Sequence, residues 1–97
     1  MAKSKQEIIS DIENFINGNL TNLYVGISEE PRKRLEAHGV NLDLANTSWI
    51  YREAPNDEIA REVEKYFINK GTDGGEGGGD EDARYVYAYR KNNQTAP

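Results

Sequence analysis

Residues 24–39 constrain the fold more than any other segment, because they combine a strand, a tight corner and a short helix. The segment begins within a run that alternates apolar and more polar positions, the apolar ones being Leu23, Val25 and Ile27. A period of two is typical of a strand with its aliphatic face on the core. Pro31 suits the first turn of a helix and Gly39 suits its end. The sequence therefore predicts a strand over residues 22–28 and a helix over residues 31–38.

Three polar side chains in this segment, Tyr24, Arg34 and His38, have no evident structural role. Tyr24 should point away from the aliphatic face of the strand, with Gly26 beside it leaving an open backbone surface. On the helix, Arg34 and His38 should share one face with Leu35, the residue that must anchor it. Together they mark a candidate functional site, and Glu64 further along the chain is its fourth candidate member.

Helical patterns occur on both sides of this segment. Residues 5–17 form a predicted helix within the N-terminal part, residues 1–18, because isoleucine and phenylalanine recur there at helical spacing. Ser4 and Glu7 have the pattern of a capping box, and Gly18 suits the helix end. A further helix should run from a cap at Asn56 to about Lys70, closed by Gly71. Glu64 falls at the edge of its core side, away from the solvated positions near Lys65 and Asn69.

Strand patterns and loops account for the rest of the chain. Residues 48–53 and 83–90 are predicted strands, and the second would carry Tyr85, Tyr87 and Tyr89 on one face. Residues 41–46 are a predicted loop. Residues 71–82, with six glycines and five carboxylates, should form a flexible acidic loop. Residues 91–97 are a predicted frayed tail.

Composition limits the kind of protein. The 97 residues, 36% of them apolar, are enough for one small domain with a thin core, residues 1–97. No apolar run is long enough to span a membrane, and no N-terminal signal is evident. Since there is no cysteine, disulfides and thiolate metal sites are excluded, and we expect a cytoplasmic protein.

The net charge of −5 is unfavourable for nucleic-acid binding, but the acidity is localised. Five of the 17 acidic residues lie within residues 71–82, and the remaining 12 are balanced by 12 basic residues. A basic face elsewhere on the domain therefore remains compatible with the composition. Divalent-cation binding by the acidic loop is an alternative to its interpretation as a flexible connector.

The central half of the chain, residues 22–70, resembles the GIY-YIG endonuclease family. Tyr24-Val25-Gly26 stands where that family has its second motif, Tyr-Ile-Gly. Arg34 matches the family's arginine on the following helix, His38 a position that holds His or Tyr, and Glu64 the metal-binding glutamate. The predicted elements follow in the order α-β-α-β-α-β, which indicates an α+β domain with a three-stranded sheet and three flanking helices, and the resemblance implies that this sheet is mostly antiparallel.

The resemblance also implies a chemistry: metal-dependent hydrolysis of phosphodiesters in DNA or RNA. Glu64 would hold a single Mg²⁺ or Mn²⁺, a hard cation that takes oxygen ligands. Arg34 would bind the phosphate with its planar guanidinium. Tyr24 would help to activate water, and His38 would relay or orient it.

The family's first motif, Gly-Ile-Tyr, has no counterpart upstream of Tyr24, where residues 13–17 end a predicted helix. We therefore hypothesise that the C-terminal strand takes the sheet position of the missing first strand, a rearrangement resembling circular permutation. Tyr87 or Tyr89 would then enter the site from the opposite end of the chain. Contact between these tyrosines and Tyr24 is the structural test.

Two other interpretations remain open at this point. One is a degenerate, non-catalytic domain of the same type that binds a protein or nucleic-acid partner. The other is a purely structural α+β domain whose motif matches are accidental. Convergence of Tyr24, Arg34, His38 and Glu64 in space would favour a site over accident.

Overall fold

A computed structural model describes residues 2–16, 20–40, 42, 49–74 and 83–91. Their helices and strands follow in the order α1 (Lys5–Ile16), β1 (Leu23–Ser28), α2 (Pro31–Ala37), β2 (Trp49–Glu53), α3 (Asp57–Lys70), β3 (Asp73–Gly74) and β4 (Tyr85–Arg90). One turn of 3-10 helix, Leu20–Asn22, leads into β1. The predicted helix end at Gly18, the loop over residues 41–46 apart from Leu42, the acidic residues 75–82 and the tail beyond Lys91 lie outside the described residues.

The helix starts follow the local sequence. In the predicted capping box, Glu7 N donates to Ser4 Oγ at 3.2 Å, and Ser4 N donates to Glu7 Oε1 at 3.0 Å. At the start of α3 the Asn56 side chain accepts from Ile59 N at 2.8 Å. Pro31 opens α2, and Gly39 follows its end at φ 89°, in the left-handed region that favours glycine.

The described strands form one mixed sheet in the order β2-β4-β1-β3. β4 runs antiparallel to both of its neighbours, whereas β3 runs parallel to β1. This corrects the expectation of three strands, while the α+β class and the three helices are confirmed. The extra strand, Asp73–Gly74, has only two residues, too few to show a sequence period, and it also corrects the prediction that residues 71–82 are all flexible loop.

The aliphatic face of the sheet packs against α1 and α3. Its core contains, among others, Ile8, Ile12, Leu23, Val25, Val63, Phe67 and Val86, all fully buried. The alternation predicted for β1 and β4 is therefore confirmed, because their aliphatic residues share this side of the sheet. Burial of such side chains is the main favourable contribution to the stability of a domain of this size.

A second, smaller cluster occupies the opposite face, beneath α2. It consists of Tyr24, Leu35, Val40, Tyr87 and Tyr89, with Trp49 and Tyr51 packed at its edge. The prediction that Leu35 anchors α2 is confirmed, since its side chain is fully buried. Both faces of β1 are thus covered, and the expected open surface at Gly26 is wrong.

The end of β4 is tied to the start of β1. Lys91 N donates to Asn22 O at 2.7 Å, and the Lys91 side chain lies 3.4 Å from an Asp73 carboxylate oxygen. The predicted frayed tail therefore begins after Lys91 at the earliest. None of the helices in the described ranges has the length and apolar character needed to cross a membrane.

Candidate functional site

Pairing between β1 and β4 brings the predicted tyrosines together. Tyr24 stands opposite Tyr89, and Gly26 stands opposite Tyr87. The Tyr24 and Tyr89 rings stack with centroids 5.2 Å apart, and the Tyr24 and Tyr87 rings lie 6.2 Å apart. Tyr87 and Tyr89 are therefore within one side-chain length of Tyr24, as the hypothesis of a replaced first strand requires.

Gly26 permits this arrangement because the Tyr87 ring lies across it. A Cβ atom at position 26 would be 2.6 Å from Tyr87 Oη and 2.7 Å from Tyr87 Cζ. Any side chain at position 26 would displace the ring. Glycine is therefore needed at position 26 of the Tyr24-Val25-Gly26 motif because a side chain there would clash with Tyr87, which lies 61 positions further along the chain.

His38 closes the cluster from the end of α2. It is the C-terminal cap of that helix, and only 7% of its surface is exposed. Its ring centroid lies 4.7 Å from that of Tyr24 and 5.2 Å from that of Tyr89. His38 Nε2 is 3.0 Å from Tyr87 Oη, a hydrogen bond whose direction depends on the tautomer of the imidazole. His38 therefore acts both as a helix-end residue and as a member of the cluster.

Arg34, one turn before His38, is the exposed member of the group. A hydrogen bond from its guanidinium and its positive charge both favour the ionised form of Tyr87, but burial dominates and raises the pKa of Tyr87 to about 12. Burial likewise raises the pKa of Tyr24, against the positive charge of Arg34. Both phenols therefore carry their protons at neutral pH.

Glu64 lies on α3, the helix that packs against the aliphatic face of the sheet. Its side chain is buried, with 8% of the residue surface exposed. Its Oε2 atom is buried and has no hydrogen-bond partner among the residues that the structure describes. Burial raises the pKa of this carboxyl to about 7, although the nearby Arg61 and Lys65 lower it. The carboxylate charge also raises the pKa of Tyr24 and Tyr87, which places Glu64 within electrostatic range of both hydroxyls.

Sequence reasoning missed Asp73. It stands opposite Tyr24 on β3, and its negative charge raises the pKa of both Tyr24 and Tyr89. Its Oδ2 lies 3.4 Å from Lys91 Nζ, and its Oδ1 accepts from Gly74 N at 3.0 Å. Nothing in the sequence distinguishes this aspartate from the other carboxylates of the glycine-rich segment.

The structure thus brings three predicted residues, Tyr24, His38 and Tyr87, into direct contact. Arg34 lies beside Tyr87, and Glu64 acts on the tyrosines through its charge. Tyr85 does not join them, since it packs edge-on against Tyr51 with centroids 6.1 Å apart. No group of three or more His, Asp or Glu side chains that could hold a metal occurs within the described ranges.

No family model matches the chain, and comparisons with curated proteins and with solved structures gave no significant match.

Proposed function

We propose that this chain is a GIY-YIG-like domain that cleaves phosphodiesters in nucleic acid with the help of a divalent cation. One observation carries the proposal: Tyr24, His38 and the C-terminal Tyr87 are in contact, Arg34 lies beside Tyr87, and the buried carboxyl of Glu64 is in electrostatic range. An accidental motif match gives no reason for a tyrosine from the opposite end of the chain to complete this group.

The C-terminal strand would supply the tyrosine of the missing first motif. β4 lies beside β1, the strand that carries Tyr24, and between β1 and β2. Tyr87 lies over Gly26 and bonds to His38, so it takes part in the cluster more directly than Tyr89, which is fully buried beneath α2. We therefore assign the role of the missing tyrosine to Tyr87.

The hydroxyls and the imidazole form a possible path for the proton of an attacking water. With their raised pKa values, Tyr24 and Tyr87 serve poorly as terminal bases at neutral pH. Each can instead pass a proton on: Tyr24 accepts one from water and gives its own to Tyr87, which gives its proton to His38 Nε2. In this scheme His38 receives the proton, because its Nε2 lies at the end of the hydrogen-bonded chain.

Arg34 is positioned to meet the phosphate first, because it is exposed while the tyrosines are buried. A planar guanidinium binds two phosphate oxygens at once and stabilises the charge that builds up as the bond breaks. The same contact would draw Arg34 away from Tyr87.

Glu64 is the residue that would hold the cation, Mg²⁺ or Mn²⁺. Its Oε2 has no hydrogen-bond partner among the described residues, and burial raises its pKa despite Arg61 and Lys65, which fits a carboxyl that a bound cation would stabilise in its charged form. As a single carboxylate it fits a cation that keeps most of its waters, as Mg²⁺ does. Such a cation neutralises phosphate charge and stabilises the departing oxygen.

The test is a cleavage assay with Mg²⁺ or Mn²⁺ on single-stranded, duplex and branched DNA and RNA. We expect cleavage of at least one substrate, loss of activity in Glu64→Ala, and a loss of at least about a hundredfold in Arg34→Ala. Lys33→Ala is the matched control, because Lys33 is a neighbouring cation that pairs with Glu30 at 3.3 Å. Cleavage that is unchanged in Glu64→Ala would contradict the proposal.

The alternative is a non-catalytic domain of the same type that binds a protein or nucleic-acid partner. One observation favours it: Tyr24 and Tyr87 are no more than 5% exposed, which leaves little access to their hydroxyls. Absence of cleavage on every substrate, with binding retained, would support this alternative.

A further inference from the structure

Three aromatic side chains extend the site face of the sheet beyond the buried tyrosine cluster. We call Trp49, Tyr51 and Tyr85 the aromatic strip. Trp49 stands opposite Tyr89 and Tyr51 opposite Tyr87, so the strip begins one strand away from the proposed proton path. All three residues are half-buried, whereas their partners beneath α2 are fully buried.

The three rings of the strip contact one another along the sheet. The Trp49 and Tyr51 rings are nearly parallel, at 11°, with centroids 5.9 Å apart, and Tyr51 meets Tyr85 edge-on at 6.1 Å. β2, which carries two of the three, is at the edge of the described sheet. Trp49 and Tyr51 pack against the edge of the tyrosine cluster, and each still leaves part of its surface exposed.

Positive charge lies beside this strip on α2. Arg32 Cζ is 6.0 Å from the centroid of the Trp49 ring, and Arg34 lies next to Tyr87. Acidic residues also occur nearby: a groove of about 310 Å³ between Tyr51, Tyr85 and the start of α2 includes Glu29 and Glu30. Phosphates should therefore follow the Arg32 and Arg34 side of the strip, and the acidic end should repel them.

We propose that the aromatic strip stacks the bases of an unpaired nucleic-acid segment next to the phosphate to be cleaved. Every base has an apolar face that can stack on an aromatic ring, and this is how domains bind single strands without reading sequence. Bases inside a duplex present only their edges, so the strip cannot use a fully paired helix. The inference rests on the proposed function, which gives the position of the cleaved bond. The substrate class is then nucleic acid with a single-stranded segment.

The chain provides its own probe, because Trp49 is its only tryptophan. The experiment titrates the full chain in EDTA with oligothymidylate, with an abasic oligonucleotide of the same length, and with a duplex of two complementary strands, which should leave the emission unchanged. Stacking should quench Trp49 emission with oligothymidylate and leave it unchanged with the abasic strand, which carries the same phosphate charge. Equal responses to the thymidylate and abasic strands would overturn the proposal.

Variants separate stacking from general effects on the fold. Trp49→Leu should weaken binding of labelled oligothymidylate, measured by anisotropy, by about 5- to 150-fold, the range for loss of one stacked base. Tyr66→Leu is the matched control, because Tyr66 is a half-buried ring on α3 that hydrogen-bonds to Glu13, away from the strip. Trp49→Phe keeps a ring and should retain most of the affinity even if the leucine variant folds poorly. Equal losses in Trp49→Leu and Tyr66→Leu, with both folded, would contradict the proposal.

Failure of this inference is distinguishable from failure of the proposed function. If the protein cleaves fully paired duplex in a Glu64-dependent reaction and single strands do not quench Trp49, the stacking role is wrong and the proposed nuclease activity stands. If single strands quench Trp49 and no substrate is cleaved, the stacking role stands and the proposed nuclease activity is wrong. Self-association through Trp49, seen as emission that changes with protein concentration but not with oligonucleotide, would identify a second copy as the occupant and overturn the proposal.

Discussion

Gly26 and Tyr87 show at the scale of single residues how the site depends on two distant parts of the chain. Gly26→Ala would put a Cβ atom 2.6 Å from Tyr87 Oη, so the ring would have to leave its place over β1. Overpacking of this kind costs about 1–3 kcal/mol, and we expect a loss of that size in the free energy of unfolding measured with urea.

A double-mutant cycle provides the control for this prediction. In a Tyr87→Leu background the alanine at position 26 meets a smaller side chain, so the substitution should cost less than in the wild type. Equal costs in the two backgrounds would show that the close approach of Gly26 and Tyr87 is not what makes glycine necessary.

The carboxyl of Glu64 should make stability depend on pH. Its pKa in the folded chain, about 7, is above the ordinary value of 4.5, so the folded state binds the proton more tightly than the unfolded state. The stability that comes from the protonated form is complete below about pH 4.5 and is lost as the pH rises to about 7. The glutamine side chain of Glu64→Gln does not titrate. The free energy of unfolding of this variant should therefore rise relative to that of the wild type, by on the order of 2 kcal/mol over this pH range.

Urea unfolding of both chains at several pH values measures this difference, and the other titrating groups cancel because the chains share them. A difference that stays constant between pH 4.5 and 8 would mean that the Glu64 carboxyl is solvated. The sequence predicted the edge position of Glu64 from helical spacing, but not its unpartnered Oε2, since that depends on which side chains pack beside it.

At the scale of elements, β4 is central although it comes last in the chain. It pairs with both β1 and β2 and buries Val86, Tyr87, Ala88 and Tyr89. A chain truncated after residue 82 would lose this strand and should no longer unfold cooperatively in urea, because a domain this small has little stability to spare.

The matched control is a chain that ends at Lys91. It keeps β4 and the bond from Lys91 N to Asn22 O, so its unfolding transition should remain cooperative. A cooperative transition in the shorter chain would show that β4 is dispensable, and this would remove the basis for a replaced first strand.

Periodic elements were predictable, and short ones were not. The starts of α1, α2 and α3 follow from the capping box, Pro31 and Asn56, which act through neighbouring backbone groups. β3 consists of two residues that pair with β1, and two residues are too few to show a period in the sequence. The Tyr85, Tyr87 and Tyr89 face was predicted as one side of a strand, but its division into two buried rings and one half-buried ring follows from where α2 lies.

At the scale of the whole molecule, the sheet separates two kinds of core. One face carries the aliphatic contacts with α1 and α3, and the other carries the tyrosines under α2. Alternation within each strand predicted the two faces, because successive side chains point in opposite directions. The sheet order β2-β4-β1-β3 could not be predicted from the sequence, because the pattern within one strand does not specify which strands lie beside it.

The family resemblance supplied the rest of the site prediction, and its functional part remains a proposal. It led from a missing motif to the C-terminal tyrosines, two of which stack with or lie beside Tyr24. Asp73 and the aromatic strip were not found in this way, because neither belongs to a motif. Both are defined by which strands lie side by side.

The central claim is that Glu64 is a buried carboxyl that can hold a divalent cation. The most direct measurement is the ¹³C chemical shift of its side-chain carboxyl, followed by NMR against pH with and without millimolar Mg²⁺, with Glu64→Gln to assign the signal. The proposal predicts a midpoint near pH 7 without the cation and a lower midpoint with it, because a bound cation favours the carboxylate. A midpoint near 4.5, or one near 7 that Mg²⁺ leaves unchanged, would contradict it.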